Sequence, residues 1–303
     1  MNPIYSYYKL HAKVEAMEKF LNLDQIVQGE KNSLEQIRSY YKVNDWAYRH
    51  FHSQDGFMHF RISSNGCFTD EDVYYQPDSV SKYIKAGDVV MELGFGQGAN
   101  LLYLARCHPD ARFIGVDLSP LKNTVDVPEN VTTYQQDYSS LAQFADNSVD
   151  VVYAFETIVH NTDKEKIYRE VCRVLKPGGV VIVFDYALSA RLETYDAAIQ
   201  KAITLISKGA ASAMIESLEE LNAHFVNCGL TLEKSIDHTR ATLPDLKRLE
   251  CKAAKILERP TLAKLMFWLL PDQFVSNIIL GYLGYDSGNA GIMSYQEWVC
   301  RKA

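Results

Sequence analysis

The stretch that most constrains this chain runs from Val89 to Asn100 and reads VVMELGFGQGAN. Asp88 to Leu93 is apolar and β-branched at its start, which suits a short buried strand. The strand breaks at Gly94-Phe95-Gly96-Gln97-Gly98, and Ala99 to Cys107 then carries helix-forming residues. A strand, a glycine turn and a helix in that order build a nucleotide-binding corner. Glycine lets the backbone approach a ligand more closely than any Cβ would allow. The helix start offers free N–H groups to polar ligand atoms. The spacing is G-x-G-x-G with Glu92 ahead of it, not the G-x-G-x-x-G of dinucleotide sites, whose third glycine packs helix on strand. The bland alternative is a tight turn in some other α/β protein.

A chain of 303 residues can hold one large domain or two small ones. Its net charge of −7 and lack of a long basic run speak against nucleic acid as a partner. The 19 tyrosines and 13 phenylalanines suit a flat or apolar ligand, and equally a core. The six cysteines form no C-x-x-C and pair with no histidine at zinc spacing. They read as reduced thiols in a cytoplasmic protein, with no metal site. No signal-peptide core and no apolar run near the ~20 residues of a membrane span is expected.

Apolar residues near 3.6 spacing (Tyr7, Leu10, Val14, Met17, Leu21) predict a helix over Ile4 to Leu21, and a second is expected from Ser33 to about His50. His50 to Phe60, HFHSQDGFMHF, is dense in aromatics; His50, His52 and His59 read as packing or surface histidines. Asp70 to Lys85 is polar and leads into the core. Residues 1–85 are therefore expected to form a helical cap with an aromatic segment, and 86–303 the ligand-binding core.

From Asp88 onward, strands and helices alternate as in a parallel α/β sheet. Strands are expected at Asp88–Leu93, Arg112–Val116, Val131–Gln135, Val149–Phe155 and Val180–Phe184, with helices at Ala99–Cys107 and Asp163–Leu175. The second of these helices stops at Lys176-Pro177-Gly178-Gly179. Leu232–Ile236 and Tyr295–Cys300 complete seven strands, and Ser217–Cys228 is a helix. Pro120 and Pro128 leave Ser119–Asn130 with a short helix or none. Arg191–Ile215 is an extra helix. Thr239–Asn289 is too long for a structureless loop, so helices forming a lid are expected there. Its apolar runs, Leu265–Leu270 and Phe274–Tyr285, suit an apolar substrate pocket or a surface peripheral to lipid. Self-association into a homodimer stays open.

The run Glu92 to Gly98 resembles the first motif of class I S-adenosylmethionine (SAM) methyltransferases, an acid followed by x-G-x-G-x-G. That resemblance implies a doubly wound, Rossmann-like sheet of seven strands and SAM as cofactor, cradled by Gly94, Gly96 and Gly98. SAM carries no pyrophosphate, and its sulfonium and ammonium suit an acid such as Glu92. In a doubly wound sheet, ligands sit at the carboxyl ends of the strands. There Asp117 can accept both ribose hydroxyls, Asp137 can accept the adenine amino group, and Tyr138 or Leu118 can flank the adenine. The Leu175–Gly179 turn fits the same family.

Tyr153 to Gly179, YAFETIVHNTDKEKIYREVCRVLKPGG, is similar to sterol C-methyltransferases. Glu156 and His160 stand at that family's Glu and His. Tyr168, Glu170, Arg173, Val174 and Leu175 match its helix, His59-Phe60 match the end of its aromatic segment, and Tyr40-Tyr41 match a Tyr-Tyr pair. Isoprenyl diphosphate C-methyltransferases are similar in the same places. The likeness covers about Tyr40 to Asp185. Phe95 and Val159 stand where the family has Cys, and its Trp-Gly is missing near Gln54.

The resemblance implies methylation of a small apolar molecule, an isoprenoid or sterol-like alkene, with Tyr41 and Phe155 beside the cofactor. The sulfonium methyl is already electrophilic, so transfer needs positioning more than acid–base help. The alkene becomes a carbocation, which the faces of Tyr40, Phe51, Phe57 and Phe155 can stabilise. Glu156 then serves as the base that removes a proton, or else caps the next helix or meets the SAM ammonium. His160 is a helper, or a buried polar residue bonded to backbone. Rival readings are N- or O-methylation of a small natural product, a non-catalytic SAM-binding protein, and a nicotinamide dehydrogenase, which the glycine spacing disfavours.

Overall fold

The computed structural model describes residues 2–28, 34–47, 55–122 and 126–303. The strands are β1 (Val89–Leu93), β2 (Arg112–Asp117), β3 (Val131–Gln135), β4 (Val149–Phe155), β5 (Leu175–Leu188), β6 (Leu230–Asp237) and β7 (Met293–Lys302). They form one sheet in the order β3-β2-β1-β4-β5-β7-β6. The pairs from β3 to β5 are parallel, and β7 runs antiparallel between β5 and β6. The strand order reverses between β1 and β4, the crevice where doubly wound sheets hold ligands.

All five residues of β1 are buried, as expected of a parallel strand covered on both faces. Its side chains alternate. Val90 joins Tyr153, Ile182 and Phe184 on one face, under α4 (Tyr75–Ser81) and α5 (Ala99–Cys107). Met91 and Leu93 join Val152, Val181 and Val183 on the other, under α6 (Lys164–Val174) and α8 (Leu218–Asn227). Each such fully buried aliphatic contributes about 1.5–3 kcal/mol.

A third cluster sits beyond the carboxyl edge of the sheet. In it α1 (Pro3–Glu18) and α2 (Leu23–Gln28) pack with α7 (Ala197–Gly209), α9 (Thr239–Leu257) and α11 (Asp272–Asn289) through residues such as Leu10, Met17, Ile203 and Ile279. Lys13 of α1, itself buried, reaches Glu250 of α9 at 2.6 Å and Asp286 of α11 at 2.7 Å. The two ends of the chain are thus tied together above the sheet edge. Tyr40 of α3 (Leu34–Ala47) adds a further tie, donating to the Gly209 carbonyl at 2.9 Å and accepting from Asn277 at 2.7 Å.

Several bounds differ from the expected ones. Helix α1 ends at Glu18, three residues early, and the separate α2 follows. The polar stretch before the core contains α4, whose buried face is largely polar or proline (Gln76, Pro77, Ser79, Val80) and so lacks an apolar stripe. Strand β5 is longer than Val180–Phe184 at both ends. Leu175 pairs with Val149 and Val180 with Val151, so the Lys176–Gly179 turn is looped out within the strand. At its far end the strand continues because β7 pairs with it as far as Leu188. Thr239–Asn289 resolves into α9, α10 (Pro260–Leu269) and α11, punctuated by Pro260 and Pro271. The extra helix after β5 is the shorter α7, capped by Asp196. The described residues of 119–130 hold no helix. Ser33, His50, Phe51 and His52 lie outside the described residues. Among those described, no helix is long and apolar enough to cross a membrane.

Candidate active site

The glycine turn and the end of β4 meet at the reversal point. Gly94, Gly96 and Gly98 have φ of +71°, +54° and +86°, conformations that side chains resist. A Cβ on Gly94 would lie 2.1 Å from Thr157 Oγ1, one residue past Glu156. A cavity of about 940 Å³ opens over this turn. Its floor carries Glu92, Asp117, Leu118, Asp137 and Tyr138; its side walls carry Tyr41, Phe60, Phe155, Glu156, His160 and Tyr186.

The acids are held differently. Asp117 accepts from the Gly96 amide at 2.9 Å through one oxygen and from the Ser119 amide at 2.7 Å through the other. Each oxygen keeps a lone pair for a further donor, the arrangement a vicinal diol needs. Burial raises its pKa. Asp137 bonds to the Ser139 amide and hydroxyl at 2.8 and 2.7 Å. Glu92 is buried and accepts from the Tyr153 hydroxyl at 3.0 Å. Burial pushes it up to about 8, so a neighbouring cation would favour its ionised form. Tyr138 donates to the Thr157 carbonyl at 2.7 Å, which fixes its ring at the junction of the two turns.

Glu156 has φ +51°, the left-handed region, at a cost of about 1–2 kcal/mol for a residue with a side chain. This backbone turns its carboxyl away from the strand line. The Phe60 amide donates to Oε1 at 2.6 Å and the Tyr186 hydroxyl donates to Oε2. Burial pushes the carboxyl up to about 8 against the pull of these donors. His160 is lowered by burial to about 4 and is neutral at ordinary pH. Its Nδ1 lies 3.1 Å from the Ala211 carbonyl and therefore carries the proton. Its Nε2 then accepts from the Tyr41 hydroxyl at 2.6 Å.

Of the four aromatics expected to stabilise a cation, Phe155 lines the cavity. Tyr40 does not, because its hydroxyl is spent on Gly209 and Asn277. Nor does Phe57, which packs edge-on to His59 and Tyr74. Phe51 lies outside the described residues. His59 packs edge-on to Phe155 and also lines the cavity: its Nε2 bonds to Asn100 at 3.1 Å, and burial lowers it to about 4. Tyr186 was not foreseen as a site residue, nor was the wall supplied by Phe60. Both are placed by tertiary pairing, and Tyr186 faces Tyr295 across the β5–β7 ladder.

The left-handed glycine turn, the diol-ready Asp117 and the acidic floor fit a cationic nucleoside. Together with the sheet order, they define the class I SAM-dependent methyltransferases, and this chain carries a domain of that class. Residues 91–183 match the family model described as "Methyltransferase domain". Among known proteins, "Phosphoethanolamine N-methyltransferase 3" of Arabidopsis thaliana is 32% identical over 122 residues, 38% of this chain and 24% of that protein. "Sterol 24-C-methyltransferase erg6" of Aspergillus fumigatus is 33% identical over 126 residues, 37% of this chain and 31% of that protein. The chain thus spans less than two thirds of the curated relatives it matches. Mycolic acid cyclopropane synthase CmaA1, solved with SAH and CTAB, shares the fold at a TM-score of 0.72 and 14% identity, over 90% of this chain and 99% of that one.

Proposed function

We propose that this chain transfers a methyl group from SAM to a carbon of a small apolar alkene of isoprenoid or sterol-like type. The observation that carries this reading is the half-buried carboxyl of Glu156, held in a left-handed backbone on an aromatic cavity wall beside the glycine turn. When bound, SAM supplies an electrophilic methyl on a sulfonium. Gly94, Gly96 and Gly98 would admit it, Asp117 would take the ribose, and Asp137, Leu118 and Tyr138 the adenine. Glu92 would face its cationic end. Phe60, Phe155 and Tyr186 would shelter the developing carbocation. Glu156 would take the proton, and Tyr41 and His160 would hold the chamber wall. The N-terminal helices and the α9–α11 segment would exclude water from above.

The matching fits a base. A carboxyl near 8 is largely protonated in the free site, and a sulfonium beside it favours its ionised form. Incubation with methyl-labelled SAM and a panel of prenols tests the reading; label in no prenol would defeat it. The expected pH dependence follows. kcat/KM should fall as pH drops below about 8, because Glu156 must be ionised to act. No limb should appear near the ordinary histidine value, because His160 is already neutral there. Tyr186→Phe removes a donor from the carboxylate, so the limb should move to higher pH. A profile unmoved by that change would detach the limb from Glu156.

A second reading rests on the Tyr41–His160 pair. A hydroxyl bound to a neutral imidazole can orient a heteroatom, and the likeness to an N-methyltransferase supports N- or O-methylation of a small natural product. Label found in amines or phenols, and in no alkene, would select it.

A further inference from the structure

Gln76 of α4 is fully buried, yet only its carboxamide nitrogen is bonded. Nε2 donates to the Phe60 carbonyl at 2.6 Å and to the Tyr295 hydroxyl at 3.2 Å. Oε1 is buried and bonds to nothing among the described residues. Turning the amide over would be worse, because Oε1 would then face the Phe60 carbonyl oxygen, two acceptors together. An apolar side chain of the same size would bury no orphan oxygen. Packing therefore does not account for a glutamine here; what its two N–H groups hold does.

Both partners lead to Glu156. Phe60 belongs to a segment with no regular structure, so no ladder fixes it. Its amide donates to Glu156 Oε1 at 2.6 Å, and its carbonyl is held by Gln76. His59 Nδ1 also reaches that carbonyl, at the longer distance of 3.2 Å. The carboxamide nitrogen can only donate, so the Tyr295 oxygen accepts from it and the Tyr295 proton points away from Gln76. Glu156 takes that proton as a hydrogen bond, beside the one from Tyr186.

We propose that Gln76 is a positioning residue for Glu156: it pins the Phe60 amide and the Tyr295 proton on the carboxyl and keeps them converged there. Gln76 does not line the cavity, so it acts through those two residues. Only the catalytic consequence rests on the reading of Glu156 as the base. Fixed donors favour the ionised carboxyl, against the burial that raises it. The other titratable groups around Glu156 are Asp185 and Tyr186 of β5, Tyr295 of β7, Tyr41 of α3 and His160. Asp185, pushed up to about 7 by burial, ionises close to Glu156.

The test is a pH titration of the carboxyl infrared bands with S-adenosylhomocysteine bound. The matching Glu156→Gln protein is subtracted from each, which removes Asp185 and every other carboxyl. Gln76→Met keeps the length of the side chain and removes both N–H groups. Melting temperature and S-adenosylhomocysteine affinity report its folding. Its Glu156 ionisation constant should fall about tenfold, with the midpoint moving to higher pH. A midpoint that stays at the wild-type pH overturns the proposal. If Gln76→Met does not fold, nuclear magnetic resonance of the wild type decides. The Gln76 carboxamide signals should shift with pH at the Glu156 midpoint and stay still in Glu156→Gln; a carboxamide silent to pH in the wild type overturns the proposal. Where Glu156 is the base, the acid limb of kcat/KM in Gln76→Met moves with the infrared midpoint. Methyl transfer at the wild-type rate by Glu156→Gln would sink the base reading and leave the titration to decide Gln76 alone.

Discussion

Glu156→Gln is expected to lower methyl transfer to an alkene about 10²- to 10⁴-fold while SAM still binds, since a positioned general base contributes on that order. Glutamine fills the same volume but cannot accept the proton. Its amide nitrogen must also face one of two donors, the Phe60 amide or the Tyr186 hydroxyl. The hydroxyl can rotate to accept, and the backbone amide cannot, so the carboxamide oxygen should settle on Phe60. Tyr186→Phe separates the two effects: it removes a bond to the carboxyl and keeps the base. Losses that are large in Glu156→Gln and small in Tyr186→Phe at high pH identify proton removal. Equal losses would mean that the wall needs the hydrogen bonds and not the base. Label released as methylated substrate at the wild-type rate by Glu156→Gln would end the assignment.

What the chain disclosed before folding divides by the range of the interaction. The glycine turn, the acids at or just past the ends of β2, β3 and β4 and the cores of the strands rest on turn chemistry and on alternation within a few residues, so each was legible. The wall around Glu156 was not. Tyr186 and Tyr295 come together through an antiparallel pairing that local pattern cannot register, and Phe60 reaches Glu156 from a segment with no regular structure. The pair Tyr40-Tyr41 shows the limit within a helix. Neighbouring residues there point about 100° apart, so one serves packing and the other the cavity. Nothing in the sequence says that Tyr40 binds Gly209 while Tyr41 meets His160. Helix α4 escaped notice for a related reason, since it buries Gln76 to hold the Phe60 carbonyl at 2.6 Å.

Asp117→Ala should weaken SAM binding by about 2–3 kcal/mol, or roughly 30- to 150-fold in Kd, from lost hydrogen bonds to a charged acceptor. Two causes add. The carboxylate that would take the ribose hydroxyls is gone, and the Gly96 and Ser119 amides lose their acceptor. The second cause loosens the glycine turn, so Gly96, at φ +54°, is no longer held toward the cavity. Asp117→Asn separates them. Its one oxygen can hold a single amide, and its nitrogen can donate to a ribose oxygen, so an intermediate loss is expected. Adenosine and SAM titrated in parallel by calorimetry read the effect, because both carry the ribose and one alone carries the sulfonium. Equal losses for the two ligands place Asp117 on the ribose. A loss confined to SAM would put it at the cationic end, where Glu92 stands in the present assignment.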